Sequence, residues 1–265
     1  MDLIPQLKEI VKNAGDAILE SYGKKVGVSQ KDDGSPVTAA DLAANAILMN
    51  GLSVFGWPVL SEESVDDLRR LNAEKVWIID PMDGTKDFID QTDEFCVMVG
   101  LVEGTRTILG IIYQPTMGTF YYAEKGKGAF LQKNGKNPTK LKVSSTDDFG
   151  SAKMLMSRHH LLPAEMEVAH KLGVKNTVLC GSAGVKVGLI AAGQADLYLT
   201  LSGKTSEWDT CAPDIILHEA GGIMTDVNGN RLTYNKEIPR NTDGFVASNG
   251  ILHGKIVATT QKIFN

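Results

Sequence analysis

The stretch I-I-D-P-M-D-G-T-K-D, residues 78–87, runs an apolar strand straight into two acids held apart by Pro81 and Met82, then adds a glycine and a hydroxyl. Two carboxylates three residues apart on a stiff turn repel each other unless something cationic lies between them. Pro81 fixes its own φ and stiffens the turn. Asp80 and Asp83 each offer several lone-pair sites, so both can bridge one ion, or two ions can share one acid. Gly84 lets the backbone approach a ligand closely. If Lys86 onward begins a short helix, the free N–H groups of Gly84, Thr85 and Lys86 face an anion. The stretch therefore reads as a metal-and-phosphate loop at the end of a core strand.

Acids recur at comparable places. Glu62 and Glu63 follow P-V-L-S (58–61), and Asp209 opens W-D-T-C-A-P-D (208–214). None of the five histidines falls in these segments, and oxygen-only ligands select a hard cation, so Mg²⁺ is favoured over Zn²⁺. Each segment has a plainer reading as well: D-P-M-D-G as a turn, S-E-E-S as a solvated loop, T-A-A-D as a helix cap, E-W-D-T as a cap ahead of a core helix. Their succession in one chain is what points to a site.

At 265 residues, 43% hydrophobic and 22% charged, the chain suffices for one large or two small domains with a sizeable core. A net charge of −5 with scattered Lys and Arg argues against long nucleic acid or an anionic membrane as partner. Cys96, Cys180 and Cys211 are odd in number, far apart and set among apolar neighbours, as expected of reduced core thiols in a cytoplasmic protein. Leu3, Leu7, Ile10, Val11, Ile18 and Leu19 recur mostly at helical spacing. They predict an amphipathic core helix rather than a signal peptide, and no apolar run is long enough to span a bilayer.

A second helix is predicted after Thr38, capped with Asp41. Strands are predicted at 58–60 and 76–80, then a meander over 95–102, 107–114, 119–123, 128–131 and 141–143. From about Gly150 the texture changes to strand and helix in turn: strands at 153–156, 176–179 and 195–201, helices at 163–172, 183–192 and 208–219. Strands near 223–226 and 244–247 and a terminal helix complete the chain. This suggests an N-terminal α+β subdomain over 1–150 carrying most metal ligands and a C-terminal α/β subdomain over 151–265 completing the site.

The series V-T-A-A-D (37–41), S-E-E-S (61–64), W-I-I-D-P-M-D-G-T (77–85), W-D-T-C-A-P (208–213) and E-A-G-G (219–222) resembles the lithium-sensitive, Mg²⁺-dependent phosphatases of the inositol monophosphatase superfamily, over nearly the whole chain. Within it, K-D-D-G-S-P-V-T-A-A-D (31–41), S-R-H-H (157–160), G-S-A-G-V-K (181–186) and W-D-T-C-A-P-D-I-I-L-H-E-A-G-G (208–222) are most similar to the 3′(2′),5′-bisphosphate nucleotidases. Those remove the 3′-phosphate of adenosine 3′,5′-bisphosphate to leave AMP.

The resemblance implies an α/β/α/β/α layered sandwich, two or three Mg²⁺ ions and inhibition by Li⁺. Glu63, Asp80 and the Met82 carbonyl are expected to hold one ion; Asp80, Asp83 and Asp209 a second; a third, weaker ion would touch Glu63. Thr85, hydrogen-bonded to Asp41, would orient and deprotonate the attacking water, with Gly84 and Thr85 amides on the phosphate and no covalent phosphoenzyme. Ser157, Arg158, His159, His160, Ser182 and Lys186 are the candidates for the rest of a small nucleotide substrate, Lys186 for its second phosphate. Arg158 and the two histidines also read as an exposed strand end. Ser202 stands where inositol monophosphatases carry a glutamate seven residues before the aspartate, which disfavours myo-inositol phosphate. The alternatives are an inositol polyphosphate 1-phosphatase or a broader sugar phosphatase, and, in another class, a non-catalytic phosphate- or Mg²⁺-binding regulator. No pattern encodes an oligomeric state.

Overall fold

The computed structural model describes residues 3–24, 27–30 and 36–264; residues 31–35 of the K-D-D-G-S-P run lie outside the described residues. Helix α1 (Ile4–Ser21) buries Leu7, Val11, Ala14 and Ile18, one face at i, i+4, i+7 and i+11. Strands β1 (Val28–Gln30) and β2 (Pro36–Thr38) pair antiparallel, and α2 (Ala39–Ser53) lays Ala44, Leu48 and Leu52 against α1.

Strand β3 (Val59–Ser61) lies parallel to β4 (Lys75–Asp83), the strand that ends in the site. After the short helix α3 (Thr85–Ile89) come β5 (Cys96–Glu103), β6 (Arg106–Gln114), β7 (Thr119–Glu124), β8 (Gly128–Lys133) and β9 (Thr139–Lys140). From β4 onward each strand pairs antiparallel with the next, giving one seven-stranded sheet in chain order. Side chains alternate across it: Trp77, Ile79, Val97 and Val99 face α1 and α2, whereas Val76, Ile78, Cys96 and Met98 face away from them.

The remaining elements are β10 (Lys153–Ser157), α4 (Pro163–Leu172), β11 (Asn176–Cys180), α5 (Ala183–Ala191), β12 (Leu197–Thr200), β13 (Thr205–Ser206), α6 (Glu207–Glu219), β14 (Ile223–Thr225), β15 (Arg240–Asn241), β16 (Phe245–Ser248) and α7 (His253–Phe264). Five of these strands form a second sheet of order β11-β10-β12-β16-β14, parallel across the first three and antiparallel beyond. Helices α5 and α6 lie between the two sheets, and α4 and α7 cover the far face of the second. The order of layers is α/β/α/β/α, as expected.

What seats α6 is a pair of glycines. Gly100 and Gly110 face each other across β5 and β6, and a Cβ on Gly110 would lie 2.6 Å from the Ala212 carbonyl, while one on Gly100 would strike the Cys211 sulfur. Without side chains there, the helix settles directly on the sheet, and Asp209 near its start is brought to the end of β4.

Two local expectations change. The rigid turn read at Asp80 to Asp83 is a bulge within β4: Asp80 pairs with Met98 and Asp83 with Cys96, three steps against two. Pro81 has no N–H to give a ladder, and a bulge is where a sheet tolerates that. The strand predicted over 141–143 is the two-residue β9 just before it; Leu141 instead anchors by donating its N–H to the Ala129 carbonyl at 2.8 Å. All three cysteines are free and buried, and no described helix is long and apolar enough to cross a membrane.

Candidate active site

The bulge turns Asp80 and Asp83 toward the start of α6. There Asp80, Asp83 and Asp209 bring carboxylate oxygens within 4.8 Å of one another. Asp80 is 1% exposed and accepts the Met82 N–H at 3.0 Å. Loss of water pushes its pKa well above the usual carboxylate range, and the charges of Glu62, Asp83 and Asp209 push the same way. Asp209 is raised likewise, by burial and then by Asp83 and Glu62. Carboxylates crowded this way favour a divalent cation among them, and every donor is oxygen.

The glutamate that joins them is Glu62. It lines the cleft and lies within hydrogen-bonding reach of Asp80, whereas Glu63, the residue expected from the sequence, is not on the cleft wall. The reason is strand parity. The Glu62 N–H still donates to the Ile79 carbonyl at 3.4 Å, continuing β3 by one residue, so Glu62 shares a side with Leu60, and Asp80 with Ile78. Leu60 and Ile78 both belong to the core facing α6. The alternation of V-L-S-E carried that signal.

Asp41 serves two partners, one with each oxygen. Oδ2 accepts the Thr38 N–H and hydroxyl, both at 2.7 Å, which closes the cap of α2; Oδ1 accepts the Thr85 hydroxyl at 3.0 Å. The carboxylate is 1% exposed. Asp209 is built in the same way: as the third residue of α6 it accepts the Ser206 N–H at 2.5 Å. Gly84, at φ +98°, precedes α3, and a Cβ there would lie 2.9 Å from the Glu94 carbonyl. The first amides of α3 have no acceptor within the helix.

Asp83 is held from the other half of the chain. Its Oδ2 accepts the Ser182 hydroxyl at 2.5 Å and the Gly184 N–H at 2.7 Å, at the start of α5. Burial raises its pKa and these two bonds pull it back down. Ser182, expected on the substrate, thus bonds to an acid of the site, at φ +49°. Lys186 is 2% exposed, and its ammonium donates to the Cys180 and Gly181 carbonyls at 3.1 Å each, 4.7 Å from the Tyr198 ring centre. Burial lowers its pKa.

The S-R-H-H segment divides. Arg158 turns to Glu94 at 2.6 Å, and Glu94 also accepts the Gly181 N–H at 2.6 Å, so this guanidinium braces the loop rather than lining the cleft. Its Nε and the His159 Nε2 both lie 3.3 Å from Asp87 on α3. Ser157, His159 and His160 do line the cleft, and Ser157 accepts the His160 N–H at 3.1 Å. Burial pushes His160 down to about 4, helped by Lys86, His159, Lys204 and Lys186.

The cleft holds about 290 Å³. Beyond the expected residues its wall includes Lys86, Ser202, Lys204, Trp208 and Arg240. Arg240 opens β15 of the small β13–β15 ribbon and Lys204 is in the turn just before β13; two-residue strands leave no periodicity in the sequence. Behind it, Glu207 accepts the Asn235 and Lys236 N–H groups at 2.7 and 2.9 Å. Arg70, 1% exposed, reaches Asp66, the Asn235 side chain and the Lys236 carbonyl. This network ties the loop after Glu62 to the start of α6.

Residues 2–264 match the inositol monophosphatase family. The 3′(2′),5′-bisphosphate nucleotidase CysQ of Aggregatibacter actinomycetemcomitans is 37% identical over 240 residues, 88% of this chain and 88% of that protein. Among solved structures, CysQ from Bacteroides thetaiotaomicron, described as a bacterial member of the inositol monophosphatase family, superposes with a TM-score of 0.79 at 30% identity, covering 92% of this chain and 95% of its own. A Thermotoga maritima IMPase shares the fold at a TM-score of 0.84 and 24% identity, covering 100% and 98%.

Proposed function

The chain belongs to the inositol monophosphatase family, and from that premise we propose that it is a 3′(2′),5′-bisphosphate nucleotidase, releasing the 3′-phosphate of adenosine 3′,5′-bisphosphate and leaving AMP. The observation that carries the reading is the hydrogen-bonded pair Thr85–Asp41 set beside the oxygen cluster of Asp80, Asp83 and Asp209. Members of the family are metal-dependent phosphatases. The donor set suits a hard cation: Glu62, Asp80 and the Met82 carbonyl would hold one Mg²⁺, Asp80, Asp83 and Asp209 a second, with Li⁺ inhibition following from the same reading. Divalent cations held there neutralise the phosphate dianion and acidify water at the site.

The chain's own groups do the rest. Asp41, oriented by Thr38 through Oδ2, takes a proton from Thr85 through Oδ1, and the Thr85 oxygen accepts one from the attacking water. The Gly84 and Thr85 amides, at the start of α3, would hold the phosphate oxygens. Ser182 and Gly184 hold Asp83 in place. Residues 1–150 contribute Asp41, Glu62, Asp80, Asp83 and Thr85, and 151–265 contribute Asp209, so turnover needs both halves.

Phosphate release is measured, with Mg²⁺ and with EDTA, on adenosine 3′,5′-bisphosphate, its phosphosulfate relative, an inositol bisphosphate and myo-inositol 1-phosphate. The nucleotides should lead. A preference for either inositol ester would move the assignment to a sugar phosphatase, and no Mg²⁺-dependent release from any would leave a binding protein.

A further inference from the structure

Lys186 lines the cleft with two of its three ammonium N–H donors already given to backbone carbonyls, which leaves one for a ligand. Its ammonium is buried and donates to two carbonyls. The wall of the same cleft also carries a different pair. Lys204 and Arg240 both line it and are both exposed, and neither side chain has a carboxylate partner among the described residues.

The ribbon fixes their relation. Ser206 stands opposite Arg240 in the β13–β15 register, and Lys204 is the turn residue immediately before β13, so both cations stand within two residues of one short register. Two like charges there repel, and an anion between them relieves the repulsion. The ribbon also runs directly into α6, which fixes the pair relative to Asp209. The cleft wall therefore carries both the acid cluster and, in Lys204 and Arg240, two cations without a carboxylate partner among the described residues.

We propose that Lys204 and Arg240 form the subsite for the non-scissile phosphate, so that the enzyme selects substrates carrying two phosphate groups on one small scaffold. This rests on the nucleotidase reading. A planar guanidinium accepts two oxygens in register while an ammonium supplies a point charge, a combination suited to a phosphate dianion.

The test compares kcat/KM for adenosine 3′,5′-bisphosphate and for 3′-AMP in wild type, Lys204→Ala, Arg240→Ala and the double variant, with circular dichroism to confirm folding. Wild type should prefer the bisphosphate. Each single variant should lower kcat/KM for the bisphosphate by about tenfold, the size expected for a lost hydrogen bond to a charged group, and 3′-AMP should fall far less. The double variant should lose most of the preference. If it keeps the wild-type preference, or loses both substrates equally, the subsite lies elsewhere and the nucleotidase reading stands. If wild type releases no phosphate from the bisphosphate, the nucleotidase reading itself fails.

Discussion

The Thr85 hydroxyl donates to Oδ1 of Asp41 at 3.0 Å across 44 residues of chain, while Oδ2 of the same carboxylate closes the cap of α2. Asp41→Asn keeps an acceptor for the cap but cannot take a proton. It should lower kcat by roughly 10²–10⁴ with little change in KM and only a small change in melting temperature. Steady-state kinetics and a thermal melt check this; an effect on KM alone reassigns Asp41 to binding.

Glu62 and Glu63 are neighbours with opposite prospects. Because Glu62 shares the side of the sheet that carries Asp80, Glu62→Gln should weaken Mg²⁺ by more than about tenfold and cut turnover with it. Glu63→Gln should stay within about twofold of wild type, as a residue off the cleft wall. Isothermal titration with Mg²⁺ separates the two, and equal losses would undo the parity argument.

Asp80 illustrates a trade between stability and catalysis. Its carboxyl is pushed up by burial and by three neighbouring acids, so its charged form is disfavoured until a cation is bound. Asp80→Asn should raise the melting temperature of metal-free protein, by an amount corresponding to about 1 kcal/mol, and abolish phosphate release. Wild type should gain stability with Mg²⁺ and the variant should not. Scanning fluorimetry in EDTA and across a Mg²⁺ series reads both; a variant that still responds to Mg²⁺ removes Asp80 from the ligands.

His253 sets part of the acid limit. It is 6% exposed, with its ring nitrogens 2.9 Å from the Thr225 and Ser248 hydroxyls, and burial pushes its pKa down to about 4. A histidine depressed in the fold lets the unfolded chain bind the proton first. Its contribution is complete above the unfolded value near 6.5 and is lost as pH falls toward 4. Urea unfolding at pH 7 and pH 5 should show wild type losing about 1–2 kcal/mol more than His253→Gln. Equal losses would exclude His253.

Much of the fold was legible because apolar runs are bounded by turn residues. Helix α4 occupies the predicted 163–172, and the strands of the first sheet from β4 to β8 lie within a few residues of their expected places. The site acids were legible too, since acids at strand ends and helix starts stand out against apolar flanks. What the sequence does not carry is partnership. The charge of Arg158 and Lys186 is in the sequence, but Glu94 lies 64 residues from Arg158, and the carbonyls that hold Lys186 belong to a turn whose path only the fold determines. Pro81 announces an irregularity without saying whether the neighbouring strand continues past it. The Glu62–Glu63 doublet could be resolved by alternation from Val59, a signal that a motif taken as a unit conceals.

Asp41 and Asp209 are both third residues of helices, each returning an oxygen to its cap. Glutamate is the commoner residue at that place in a capping box. A change from aspartate to glutamate, one base in the codon, would therefore leave the helix start content while displacing the other oxygen from Thr85 or from the acid cluster. The chain would fold, keep its charge and stop turning over. Chemistry can thus be shed in a single genetic step whose cost to folding is that of fitting one methylene into a buried site, about 1–3 kcal/mol, so silent, folded descendants lie close to this enzyme in sequence space.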